Sequence, residues 1–300
     1  METTKSIWMN GKLVPWDEAK IHVLTHTLHY GSGVFEGLRV YKTDKGPAIF
    51  RLKEHTQRLL YSASVFKMNV PYSLEELMQA HIDVVKDAGV EECYIRPIIY
   101  HGYGRMGVNP KGAPVDVSIA CWPWGAYLPV DMVDVKITKY IRIHPQSTVC
   151  DAKITGHYVN SILAVQELDD TKYHESMLLD YEGNIAEGPG ENLFIVKDGV
   201  IYTPQLGNIL KGITRDSAIN IAKDLGYTVI EKKLQPEDAF TADEAFFTGS
   251  AAEVTPIKTI DDHVIGNGQT GPITAKIKET FMNVVHGRNP KFAHYLTLVK

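Results

Sequence analysis

Cysteine is scarce. Cys93, Cys121 and Cys150 are the only three in 300 residues, and no two are spaced as C-x-x-C. That pattern offers no disulfide framework, zinc knuckle or thioredoxin-type pair, and it fits a reducing, cytoplasmic compartment. Basic excess is missing too: 31 Lys and Arg stand against 36 Asp and Glu, a net charge of −5. Without a basic run the chain lacks the electrostatic footprint of a nucleic-acid or anionic-membrane binder. No stretch approaches the ~18 continuous apolar residues of a membrane span. Met1 to Asn10 carries an early acid and no long apolar core, so no signal peptide is expected. What is present is a globular mix, 44% hydrophobic and 22% charged. At roughly 150 residues per domain, the length suits about two domains.

Strand and helix signals interleave along the chain. Ile7–Met9 runs into Asn10-Gly11, and Leu38–Tyr41 and Ala48–Phe50 flank Thr43-Asp44-Lys45-Gly46; both read as hairpins. Helical periodicity covers Leu52 to Lys67, then Leu74, Leu77, Met78, Ile82 and Val85, with Ser73 and Glu76 as a capping box. Two apolar runs, Cys93–Tyr100 and Val115–Cys121, suit buried strands. Trp122-Pro-Trp-Gly-Ala-Tyr-Leu-Pro129 breaks regular structure, and its aromatics suggest a packed linker. The boundaries read from this are a small domain over 1–123, a connecting loop over 124–134 and a larger domain over 135–300. Beyond the loop, strands mix with helices near 157–168, 213–225 and 273–286. The class is α+β or mixed α/β rather than a regular βαβ series.

Some motifs mislead. Gly102-Tyr-Gly104-Arg-Met-Gly107 matches G-x-G-x-x-G, but Pro110 and Pro114 follow where a dinucleotide site needs a helix. A mobile glycine loop is the better reading. His22, His26 and His29 cluster, with His22 and His26 spaced for one helix face, but the zincin glutamate is absent and no metal is expected.

Three segments carry chemistry together: Cys150-Asp-Ala-Lys153-Ile-Thr-Gly-His-Tyr158, Ile185-Ala-Glu187-Gly-Pro-Gly-Glu-Asn-Leu-Phe194, and Gly212-Ile213-Thr214 with Thr248-Gly249-Ser250-Ala251. Separately they read as a solvated lysine, a surface turn and a helix start. Jointly they supply a lysine suited to a Schiff base, an acid suited to a protonated ring nitrogen, and two small-residue turns suited to phosphate. Pyridoxal 5'-phosphate needs those three contacts.

With His29-Tyr-Gly-Ser-Gly-Val-Phe-Glu-Gly37, His55-x-x-Arg58, Tyr94-x-Arg96-Pro97, Met106-Gly-Val-Asn-Pro110 and Pro123-Trp-Gly-Ala-Tyr127, these segments resemble the branched-chain amino acid aminotransferases of class IV. The resemblance runs from about Trp8 to Pro272. It implies the two-domain fold type IV architecture, a small α/β domain and a larger pseudo-barrel domain. It also implies reversible transamination of L-leucine, L-isoleucine and L-valine with 2-oxoglutarate. Lys153 then forms the Schiff base and shuttles the Cα proton, Glu187 holds the ring nitrogen and Tyr158 donates to O3′. Arg58, the Gly212-Ile213-Thr214 turn, Gly249 and Ser250 hold the phosphate. Phe35, Gly37, Trp124 and Tyr127 line the substrate pocket, with Tyr30 and Val108 supplied by a neighbouring subunit. Arg96, with Tyr30 and Tyr127, takes the γ-carboxylate of glutamate. Tyr94 and the backbone N–H groups of Ser250 and Ala251 take the α-carboxylate. The loop from Gly102 to Pro114 closes the neighbour's site, so at least a homodimer is expected, with dimer or hexamer left open. D-amino acid aminotransferase, (R)-amine transaminase and aminodeoxychorismate lyase share the cofactor residues. An idle binding protein on the same scaffold is the alternative from another class.

Overall fold

The computed structural model describes residues 2–125, 128 and 130–300. The chain divides into two units. The first comprises Met1–Gly125, Ala152–His157 and Val284–Lys300; the second comprises Ala126–Asp151 and Tyr158–Asn283.

The first unit is built on an antiparallel sheet of eight strands. Their order is Leu296–Leu298, Gly46–Phe50, Leu38–Thr43, Cys93–His101, Val115–Trp122, Ser6–Met9 and Lys12–Pro15, with Gly33–Phe35 joined to Cys93–His101. Side chains alternate across a strand, so Val117, Ile119 and Cys121 all turn inward. They meet Leu59 of helix Leu52–Val65 and Leu77 and Val84 of helix Leu74–Ala88 in one core. The second helix starts as the sequence predicts. Ser73 Oγ accepts from Glu76 N at 3.2 Å, and Glu76 Oε2 accepts from Ser73 N at 2.8 Å. Such a cap contributes about 1 kcal/mol. The hairpin at Thr43-Asp44-Lys45-Gly46 also forms, with Thr43 opposite Gly46.

The second unit carries nine strands. Their order is Ile185–Glu187, Glu175–Leu179, Val133–Ile141, Glu253–Ile260, Glu244–Gly249, Asn192–Lys197, Val200–Pro204 and Val229–Lys232, with His263–Val264 beside Glu253–Ile260. Pairing is mixed: Val133–Ile141 runs parallel to both neighbours, and Val200–Pro204 runs parallel to Val229–Lys232. The strand Glu244–Gly249 is buried throughout, as expected of a strand covered on both faces. Phe194 and Phe246 stack within this sheet at 4.9 Å. Helices Tyr158–Gln166, Ile213–Asp224, Pro236–Phe240 and Pro272–Val285 complete the mixed α/β fold. Among the described residues no helix is long and apolar enough to cross a membrane.

The contiguous second domain over 135–300 needs correction. Residues 152–157 belong to the first unit because Ile154 bridges Val34, Phe35 N donates to Lys153 O at 3.0 Å, and Lys153 N donates to Ser62 Oγ at 3.0 Å. The C-terminal strand Leu296–Leu298 likewise pairs with Gly46–Phe50. Trp124 and Gly125, read as connecting loop, fall in the first unit as well.

Candidate active site

In the first unit, the backbone bonds to Phe35 and Ser62 place Lys153 so that its Nζ stands 5.0 Å from the centre of the Phe35 ring. The next residue, Glu36, is wholly buried and meets two side chains of helix Leu52–Val65. His55 and Arg58 lie three residues apart, on one helix face. Arg58 clamps the carboxylate with Nε–Oε1 at 2.5 Å and Nη2–Oε2 at 2.8 Å, while His55 Nδ1 lies 2.7 Å from Oε2. Burial opposes the charge on Glu36, but Arg58 and His55 together outweigh it and hold the carboxyl well below the usual range. Burial lowers His55, with Glu36 pulling the other way. The resemblance gives Arg58 to a phosphate; in the structure its Nε and Nη2 engage Glu36.

Tyr94 and Arg96 share a face of strand Cys93–His101. The Arg96 guanidinium lies 4.8 Å from the centre of the Phe35 ring and 5.3 Å from that of Tyr94, and Nη2 donates to Tyr94 Oη at 3.3 Å. Arg96 Nε is buried and has no hydrogen-bond partner among the described residues. Tyr94 meets Trp124 edge-on at 4.6 Å. Gly37 permits this packing, since a Cβ there would stand 1.8 Å from Tyr94 Oη. Phe35, Gly37, Tyr94, Arg96, Trp124 and Lys153 therefore gather in one unit. Tyr30 and Val108 are exposed, Val108 at 87%. Tyr127 lies outside the described residues.

In the second unit, Glu187 ends the short buried strand Ile185–Glu187. Arg142 Nε donates to its Oε1. Asn192 Nδ2 donates to Oε2 at 3.0 Å and Leu210 N to the same oxygen at 3.1 Å. Glu187 is thus fixed by one cation and two neutral donors. Asn192 stands opposite Thr248 in the ladder, and Gly212 lies against Asn192, where a side-chain carbon would strike the amide oxygen. This register brings the start of helix Ile213–Asp224 to the end of strand Glu244–Gly249, where Ser250 and Ala251 form the turn. The helix starts at Gly212 with no side-chain cap. Its first N–H groups lack intrahelical acceptors and carry the positive end of the helix dipole, a seat for an anion. Tyr158 opens helix Tyr158–Gln166 and is half-buried.

The sequence reading missed Glu36, His55, Arg142 and Asn192. Glu36, His55 and Asn192 were within quoted motifs, but nothing local announces Arg142, which lies 45 residues before Glu187. The histidine cluster also differs from its spacing. The helix begins at His26, so His22 precedes it. His29 Nε2 meets Val23 O at 2.9 Å, and His22 Nδ1 accepts from Leu24 N at 3.0 Å.

Residues 33–260 match the family model for amino-transferase class IV. The branched-chain-amino-acid aminotransferase of Pseudomonas aeruginosa is 46% identical over 298 residues, covering 98% of this chain and 97% of that protein. The branched-chain amino acid aminotransferase from T.th., complexed with N-(5'-phosphopyridoxyl)-L-glutamate, superposes with a TM-score of 0.97 at 47% identity, covering all of both chains. The same protein complexed with 4-methylvaleric acid gives a TM-score of 0.96 at 46% identity, again over both whole chains. The chain belongs to the class IV amino-transferases and, within them, to the branched-chain-amino-acid aminotransferase family.

Proposed function

We propose that the chain reversibly transfers the amino group between L-leucine, L-isoleucine or L-valine and 2-oxoglutarate, with pyridoxal 5'-phosphate as cofactor. Arg96 carries this reading. One pocket must take an apolar side chain in one half-reaction and a second carboxylate in the other. A guanidinium resting on Phe35 and Tyr94, with a buried Nε lacking a partner among the described residues, suits both demands. The ligands named for the T.th. protein, 4-methylvaleric acid and a glutamate adduct, support the same pair of demands.

The residues present fit the cofactor: an amine at Lys153, a carboxyl at Glu187 held by three donors, and an uncapped helix start that Gly212 leaves open. When bound, pyridoxal 5'-phosphate supplies a protonated ring that draws electrons from the substrate Cα. Glu187 holds the proton at the ring nitrogen, with Arg142 and Asn192 fixing its orientation. Lys153 Nζ removes and returns the proton at Cα. Tyr158 donates to O3′. Backbone N–H groups of Ile213 and Thr214, with Gly249 and Ser250, hold the phosphate, and Arg58 adds its charge. Arg96, with Tyr30 and Tyr127, takes the γ-carboxylate. Tyr94 and the N–H groups of Ser250 and Ala251 take the α-carboxylate.

The chain acts as a homodimer at least, each copy lending Tyr30 and Val108 to its neighbour. Exposed Val23 (70%), Leu28 (58%) and Val108 support an apolar contact surface for that second copy. Three unpaired cysteines support a cytoplasmic setting.

The test is a half-reaction without acceptor. L-leucine bleaches the cofactor's visible band and 2-oxoglutarate restores it, whereas Lys153→Ala slows both by roughly 10²–10⁴-fold. No bleaching by L-leucine, or an unchanged rate in Lys153→Ala, would contradict the reading.

A further inference from the structure

We propose that His26 is a positioning residue for the loop between Gly102 and Pro114: with Tyr30 it clamps both backbone groups of Gly107 and so sets the place of Val108. The consequence for substrate rests on the role given to Val108 above.

The clamp is visible atom by atom. Gly107 O lies 2.8 Å from His26 Nε2, and Gly107 N donates to Tyr30 Oη at 3.2 Å. A carbonyl only accepts, so Nε2 carries the hydrogen. His26 Nδ1, 2.6 Å from Ser32 Oγ, then accepts the serine hydrogen in the neutral ring. Ser32 thereby fixes the ring that holds Gly107. His26 is 1% exposed, and its ring lies 4.5 Å from that of Tyr30, so the two clamping side chains brace each other. Gly107 has φ +98°, a conformation that only glycine adopts at no steric cost. The peptide is therefore presented to the helix in a shape that another residue would strain.

The same short helix, His26–Tyr30, also grips the root of the loop. His26 N donates to Gly102 O at 3.1 Å, and Gly102 N donates to Pro114 O at 2.8 Å. Four residues before the helix, the His22 ring meets that of Tyr103 at a tilt, with centres 4.0 Å apart. Of the three clustered histidines, His26 and His22 touch this loop, whereas His29 Nε2 meets Val23 O. Val108 follows the pinned peptide directly and projects outward, so the clamp determines where its side chain is offered.

Arg105 and Lys111 are exposed in this loop and flank Gly107, giving trypsin two sites that report loop opening independently of activity. In the holoenzyme, His26→Leu removes the donor, His26→Gln keeps one, and Tyr30→Phe removes the acceptor at an exposed side chain. His26→Leu should raise native-state cleavage at Arg105 and Lys111 about fivefold to tenfold, as the loss of one buried hydrogen bond implies. Its KM for L-leucine should rise by a similar factor with kcat within about twofold, and His26→Gln should restore both. Tyr30→Phe should raise cleavage in the same direction, which keeps the test decisive if His26→Leu does not fold. Unchanged cleavage in Tyr30→Phe and in folded His26→Leu overturns the clamp, as does failure of His26→Gln to restore protection. Raised cleavage in an enzyme that ignores L-leucine would uphold the clamp and remove the substrate assignment instead.

Discussion

Glu36 in the first unit and Glu187 in the second are both buried carboxylates gripped by an arginine, yet their other partners differ. Glu36 has Arg58 and His55, so its oxygens face two cationic or imidazole groups. Glu187 has Arg142, the Asn192 amide and the Leu210 N–H. The first arrangement fixes helix Leu52–Val65 to the residue that follows strand Gly33–Phe35. The second aims a carboxylate with one cation and two neutral donors. The first is suited to holding the fold, the second to holding a proton at a stated place.

Substituting each acid in turn separates the two roles. Glu36→Gln strands Arg58 beside a buried amide. Removing one partner of a buried pair costs about 3–5 kcal/mol, so denaturant unfolding should show a loss of that order. Glu187→Gln should cost less in the same unfolding measurement and more in kcat of the folded enzyme. Equal stability losses would erase the distinction. Next in size is Arg96→Ala. A charge-assisted hydrogen bond is worth ~1.5–3 kcal/mol, so the 2-oxoglutarate half-reaction should slow roughly tenfold to a hundredfold, and the leucine half-reaction less. Equal losses in rapid-mixing measurements would assign Arg96 to structure.

The smallest effect is on pH dependence, where the two units carry opposite signs. Burial lowers His81 of the first unit to about 4, and lowers His55 as well. The folded state then binds fewer protons than the unfolded one between about 4 and the unfolded imidazole value near 6.5. That stability is complete above about 6.5 and is lost as pH falls towards 4. Glu36 adds loss of the same sign below the ordinary carboxylate range. In the second unit burial pushes Glu175 up to about 7. Its folded state holds the extra proton, so its contribution is present below the ordinary carboxylate range and is lost as pH rises through about 7. His81→Leu should flatten the acid limb of a stability profile and Glu175→Gln the neutral limb. A profile unmoved by either substitution contradicts these assignments.

Features with local causes were legible in the sequence. The Ser73–Glu76 capping box, the Thr43–Gly46 hairpin and the inward alternation of Val117, Ile119 and Cys121 all follow from neighbouring residues. Lys153 and Glu187 stand out in the sequence because their motifs combine amine, acid and glycine turns. The unit membership of Lys153 was not legible, since a single bridge from Ile154 to Val34 leaves no periodic signal. The C-terminal strand was hidden for a related reason: Leu296–Leu298 is three residues long and its partner lies near the start of the chain. Arg142 and the His26 clamp depend on distant pairings that spacing does not encode.

Initial rates with 2-oxoglutarate as the common acceptor and L-leucine, D-alanine or (R)-phenylethylamine as donor decide which donor the pocket accepts. Turnover is expected with L-leucine and little with the other two. Turnover confined to D-alanine or (R)-phenylethylamine would contradict the proposed function.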